Sequence, residues 1–379
     1  MVLWFSAIIA SNFKVMHLTF MLSKKQKIVV AMSGGVDSST VAALLASEGH
    51  EVIGITLQLY DHGVALEKKG ACCAGQDIYD AQMAAEKIGI PHYVLNYESI
   101  FKEAVMEDFA DSYLKGETPI PCVKCNQSVK FRDLFKVAED LGADALATGH
   151  YVQRVEVNGK AELHKGMDPA KDQSYFLFAT TQKQLDFLRF PLGGRLKNET
   201  RELARKFGLE IADKPDSQDI CFVPNGSYAS IIEKLRPGAL DNGKVVYKDG
   251  TVLGDHNGII NFTIGQRRGI GIAHSTPLYV IAIDPKTNQV VVGEKEDLAN
   301  SIVYIKDLNW LGEEIPSEGM ECIVKLRSMH KGARARVKIS GNNQAIAKLE
   351  EAYEGITPGQ ACVIYNDTRV LGGGWITKS

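Results

Sequence analysis

Two groups of residues in this chain have types and spacing suited to chemistry. The first is Ser33-Gly34-Gly35-Val36-Asp37-Ser38. Glycines let backbone amides close on an anion, the Ser33 and Ser38 hydroxyls donate to it, and a helix starting behind the loop adds a favourable dipole. Phosphate or pyrophosphate is the ligand such a loop selects. No lysine ends the loop as in G-x-x-x-x-G-K-[ST], and Asp37 instead offers a carboxylate for Mg2+ beside the phosphates. The second group is sulfur. Seven cysteines, with one adjacent pair at Cys72-Cys73 and a single C-x-x-C at Cys122 and Cys125, are too few for a disulfide framework. They indicate reduced thiols with chemical or metal-binding roles in a cytosolic setting.

These residues need a scaffold, and 379 residues at roughly 150 per domain predict two or three domains with real cores. With 45% hydrophobic and 23% charged residues the composition is globular, and a net charge of -3 does not advertise a nucleic-acid binder. Any such role must rest on a local basic face. Lys14 and His17 interrupt the apolar first segment, so it falls short of the ~20 residues of a spanning helix. Residues 1–20 read as an extension with a mis-assigned start, Met16 or Met21 being alternative initiators. From Lys27, short β-branched runs alternate with segments of helical period. Strands are predicted at Ile28–Met32, Glu51–Tyr60, His92–Tyr97 and Ala145–Thr148, with helices between them. Repeated β-α-β units imply an α/β fold built on a doubly wound parallel sheet. A hairpin at VQRVEVNGKAELHKG and helices near Gln182–Leu188 and Glu199–Phe207 elaborate that layer. Beyond Gly226 turn-separated strands dominate, predicting a small β-rich central domain over 226–284 and a C-terminal β-barrel over 285–379, after a nucleotide-binding domain over 21–225.

SGGVDSS resembles the loop of the PP-loop ATP pyrophosphatases, which split ATP to AMP and pyrophosphate while adenylating a substrate oxygen. PCVKCN, ATGHY, KDQSYFL, DSQDICF, TIGQRRG and TPGQ then follow in order, and together they resemble the tRNA-specific 2-thiouridylase (MnmA) family from about Lys27 to near the end. The resemblance implies ATP-dependent 2-thiolation of the wobble uridine of tRNA, in the cytoplasm, with Mg2+ and with sulfur from a cysteine desulfurase or relay protein. A carbonyl oxygen is a poor leaving group; adenylation turns it into departing AMP, and a cysteine persulfide is the available sulfur carrier. By the same resemblance Cys221 carries the persulfide and Cys125 attacks it. ATP contacts fall at Ala31, Met32, Ser33, Gly34, Gly35, Val36, Asp37, Ser38, Leu57 and Gly149. Contacts to tRNA fall at Ile120, Pro121, Cys122, His150, Lys171, Asp172, Gln173, Arg327, Ser328 and Gln360, the acceptors being tRNAs for Lys, Glu and Gln.

Cys122 departs from the family, in which many members carry aspartate there. Three readings compete: it tunes Cys125, it joins Cys125 and Cys221 as a ligand of an iron-sulfur cluster, or it holds structural zinc. Cys322 and Cys362 fall in predicted strands, where burial is expected. Between Glu321 and Ser340, six basic side chains face one acidic one, a stripe able to follow phosphates; Arg267 and Arg268 offer two more charges. Two rival classes are a PP-loop ligase of small molecules, which would not need the cysteine pair, and a non-catalytic RNA-binding adaptor.

Overall fold

The computed structural model describes residues 25–60, 73–216, 220–223, 227–341 and 343–378. The expected extension over 1–20 and Cys72 lie outside them. Strands β1 (Lys27–Ala31), β2 (Glu51–Gln58), β3 (His92–Asn96), β4 (Ala145–Ala147) and β7 (Leu188–Arg189) form a parallel sheet in the order β3-β2-β1-β4-β7. In β1, Val29 and Val30 are fully buried, each worth about 1.5–3 kcal/mol relative to exposure. The order turns back between β1 and β4, and a doubly wound sheet binds ligands at the carboxyl ends of the strands beside such a reversal. Helix α1 (Val36–Ser47) leaves that edge directly after β1, and helix α2 (Cys73–Ile88) follows β2. Buried residues surround α1 because it packs between the sheet and neighbouring helices, so it lacks the polar face of a surface helix.

Two helical stretches widen into π-helix, at Lys102–Glu107 and Asn126–Leu134. The second continues helix α3 (Pro121–Cys125) without a break. Cys125 therefore lies inside a continuous helical segment. Pro121 at the first helical position starts α3 early, because proline's missing N–H costs nothing there.

The predicted hairpin forms β5 (Val152–Val157) and β6 (Lys160–Lys165), turning at Asn158-Gly159, both with positive φ. It does not belong to the nucleotide-binding layer as expected. Arg369 in β17 (Arg369–Thr377) pairs with His164 in β6, so the hairpin extends the C-terminal sheet. A four-stranded sheet of β8 (Asn242–Tyr247), β9 (Val252–Asn257), β10 (Tyr279–Asp284) and β11 (Gln289–Gly293) forms the central unit. Because β11 pairs with both β10 and β8, this unit runs past the boundary expected at 284. The remaining strands, β12 (Ala299–Trp310), β13 (Met320–Lys325), β14 (Ala333–Gly341), β15 (Gln344–Glu354), β16 (Ala361–Asn366) and β17, close into a barrel through the β12–β17 pairing. One core spans nucleotide domain and barrel: Phe131, Leu146 and Tyr175 share it with Ala361, Tyr365 and Trp375.

Candidate active site

The expected phosphate loop sits at the end of β1. Gly34 has φ +72, and a Cβ there would lie 2.0 Å from the Asp77 carbonyl oxygen, so only glycine fits. Ser33 N donates to Ser38 Oγ at 3.0 Å, folding the loop back onto the first turn of α1. Gly149 follows β4 and lies against this turn, where its Cβ would come 2.9 Å from Ser38 N. Met32 is buried, its N–H donating to Ile55 O at 2.8 Å; Leu57 packs partly buried against both adjoining cores. Ala31 and Val36 close the loop's two ends.

The Asp37 carboxylate is not left open for a cation. Lys197 Nζ contacts both its oxygens at 2.7 and 2.8 Å, and the Tyr151 hydroxyl donates to one at 2.8 Å. Lys197 also pairs with Asp216 at 2.9 Å, and Asp216 further receives Lys171 at 2.7 Å and Arg201 at 3.0 Å. Lys214 holds Gly34 O and Asp77 from the other side, at 3.1 and 2.7 Å. Lys197, Tyr151, Asp216 and Lys214 were missed from the sequence as site residues. One signal was available: Lys197 opens the helix α4 (Lys197–Lys206), where the dipole disfavours a cation unless an anion faces it. Partial burial raises the Asp216 pKa, but hydrogen bonds from Lys171 and Lys197 outweigh it and hold the carboxyl at about 2.

The thiols gather on the other side of the same edge. Cys125 is buried among Phe101, Phe109, Val129 and Phe222. Phe222 meets Phe101 and Phe109 edge-on at 5.8 and 5.3 Å, which anchors the turn carrying Cys221 beside Cys125. Cys122 and Cys221 are exposed, while Cys125 is buried. Burial pushes all three thiols up, Cys221 to about 12, and Lys130 opposes the shift in each. Cys122, Cys125, Cys221, Cys322 and Cys362 are free; Cys362 is fully buried as its strand position predicted, whereas Cys322, expected to be buried too, is only partly so. Among the described residues no three His, Cys, Asp or Glu side chains are arranged to hold a metal ion.

His150 joins the halves. It follows Gly149, which packs against the phosphate loop, and its ring meets Phe131, in the helix running on from Cys125, at 5.9 Å. Burial, aided by Lys130, lowers its pKa to about 3, and its Nδ1 lies 2.9 Å from Thr148 Oγ1, so the ring is neutral. The other expected RNA-contacting residues are largely engaged with protein. Asp172 accepts from Gly166 N and Ser174 N, both at 3.1 Å; Gln173 accepts from Tyr151 N at 2.9 Å. Arg327 donates to Ile264 O, Gly355 O and Thr357 Oγ1, joining barrel to central unit. Gln360 donates to Thr118 O at 2.9 Å, just ahead of buried Ile120 and Pro121. Ser328 is half-buried in the turn after β13.

A phosphate loop at a sheet's switch point, a thiol group beside it and a trailing barrel mark a nucleotide-binding protein of the α/β class. Family models agree on the three parts: a tRNA methyl transferase HUP domain over residues 26–225, a PRC-barrel domain over 231–294 and an aminomethyltransferase beta-barrel domain over 300–376. A tRNA-specific 2-thiouridylase MnmA of Rickettsia africae is 62% identical over 94% of this chain and 98% of its own, and one of Rickettsia rickettsii (strain Sheila Smith) is 61% identical over the same shares. The chain belongs to the tRNA-specific 2-thiouridylase MnmA family. A 4-thiouridine synthetase in complex with RNA and ATP overlays with a TM-score of 0.36 at 21% identity, covering 55% of this chain and 49% of its own, too distant to inform the site. No described helix is long and apolar enough to cross a membrane.

Proposed function

We propose that this enzyme replaces the C2 oxygen of the wobble uridine in tRNA with sulfur, at the expense of ATP. The observation that carries the reading is the Gly149-His150 junction, which touches the phosphate loop on one side and the cysteine-bearing helix on the other. The loop amides and Ser33 and Ser38 hold the phosphates of ATP while the C2 oxygen attacks the α-phosphate and pyrophosphate leaves. Magnesium enters as the counterion of ATP; the loop's own carboxylate is already paired with Lys197. Neutral His150 suits an uncharged uracil edge better than a phosphate.

Sulfur transfer then balances as follows. A persulfide on Cys221 is attacked at its inner sulfur by the Cys125 thiolate, a Cys125–Cys221 disulfide forms, and the outer sulfur leaves as hydrosulfide. Hydrosulfide adds to C2, and AMP departs with the former C2 oxygen. A thiol reductant then supplies two electrons to reopen the disulfide, and a cysteine desulfurase or relay protein reloads Cys221. Cys122, exposed beside Cys125, contacts the base segment with Ile120 and Pro121. The acceptors are the wobble-uridine tRNAs for Lys, Glu and Gln, reached in the cytoplasm. An anticodon-loop base enters such a site without opening a full duplex.

The test is nucleoside mass spectrometry on unmodified tRNA incubated with enzyme, ATP, Mg2+, desulfurase and reductant. The expected product is 2-thiouridine, lost in Cys125→Ala and in Cys221→Ala while pyrophosphate release persists. A methylated nucleoside, or thiouridine formation that survives either substitution, would overturn the reading.

A further inference from the structure

Thiols whose pKa the surrounding protein raises make a poor start for a reaction in which one must attack as a thiolate and sulfur must leave as an anion. Some fixed positive charge has to favour the anionic forms. Lys130 is placed for it by its neighbours. On one side Val129 is fully buried in the cluster that holds Cys125 and Phe222, the residue next to Cys221. On the other side Phe131 packs on His150. Lys130, half-buried between them, is thus set among the Cys125 helix, the Cys221 turn and the loop that follows β4.

The backbone adds a second reason. In an ordinary α-helix Lys130, five residues after Cys125, would point about 140° away from it. The stretch Asn126–Leu134 is instead π-helical, with i to i+5 closure, and this register brings residues five apart toward one side of the helix. The titratable groups around Lys130 are Cys122 and Cys125 on its own helix, Cys221 from the turn that Phe222 anchors and His150 from the loop after β4. Arg132 and Asp133, next along the stretch, pair with each other. Among the described residues no carboxylate forms an ion pair with Lys130.

We propose that Lys130 is a positioning residue for sulfur transfer, its ammonium stabilising the Cys125 thiolate and the hydrosulfide that leaves the Cys221 persulfide. This rests on the thiolation reading above. The π-helical register is the device that delivers the charge to the thiols. The electron pairs move as described: Cys125 gives two to the inner sulfur, the outer sulfur departs with the pair of the broken S–S bond, and Lys130 neither gains nor loses its proton.

The experiment is iodoacetamide alkylation of the full-length enzyme, followed at Cys125 and Cys221 by peptide mass spectrometry from about pH 6 to 9, with Lys130→Met and Lys130→Arg. Removing a nearby charge is expected to move the Cys125 profile up by about one pH unit, or about tenfold slower alkylation at fixed neutral pH, with Lys130→Arg close to the parent enzyme. In single-turnover thiolation, Lys130→Met should lower the sulfur-transfer rate with KM for ATP unchanged, and higher pH should restore it. If Lys130→Met fails to fold, Lys130→Gln carries the same comparison. A Lys130→Met profile that overlays the parent's overturns the assignment. A parent enzyme that makes no thiouridine overturns the function and leaves the alkylation test standing, so the two failures are distinguishable.

Discussion

Gly34 concentrates two constraints that any side chain violates: a left-handed backbone and a contact with the Asp77 carbonyl. Gly34→Ala should displace the loop and lower AMP formation on the order of a hundredfold, since misplacement near 1 Å has that effect. Parent-like AMP release would show that the loop does not hold the phosphates. Asp216 makes a prediction in pH. Its folded pKa, about 2, lies below the ordinary carboxylate value, so its stabilising contribution is present above roughly pH 4 and is lost as pH falls through 2. The stability gap between the parent and Asp216→Asn, measured by urea unfolding, should therefore be open at neutral pH and close toward pH 2. A gap independent of pH would mean that the ion pairs with Lys171 and Lys197 contribute nothing.

Elements act here by docking. The Thr357-Pro358-Gly359-Gln360 turn of the barrel lies on the chain just before α3: Thr118 N donates to Pro358 O at 2.8 Å, and a Cβ on Gly359, at φ +86, would come 2.8 Å from Thr118 N. Gly359→Ala should thus shift α3 and slow thiolation about tenfold while KM for ATP stays constant, because the phosphate loop is held by other contacts. Equal changes in both would refute this division of labour. The sheet, α1 and the hairpin turn were legible in the sequence because period and turn chemistry are local. The π-helical register was not, nor was the attachment of β6 to β17, since both depend on packing between distant segments. The same contrast holds at the site. SGGVDSS and the cysteines could be read directly, whereas the Lys197 and Asp216 network forms only when Asp37 and Asp216, far apart in the chain, meet a lysine from α4.

At the scale of the molecule, a chain of net charge -3 must present its basic side chains in one place to hold RNA. On β14, Arg334, Arg336 and Lys338 are all exposed while Ala335 and Val337 between them are buried, so strand alternation puts the three charges on the outer face. Arg334→Glu with Lys338→Glu should weaken tRNA binding and reduce the slope of log Kd against log salt by about 0.7–0.9 per lost phosphate contact, with ATP binding untouched. An unchanged slope would place the RNA elsewhere. The central claim, that phosphate loop and thiol pair serve one base, is tested most directly by a single turnover of enzyme persulfidated at Cys221, mixed with tRNA and ATP and no other sulfur source. The account predicts that AMP and 2-thiouridine appear together, limited by the persulfide, and that Cys125→Ala releases pyrophosphate but yields neither. Thiouridine without ATP, or with Cys221 still persulfidated, would contradict it.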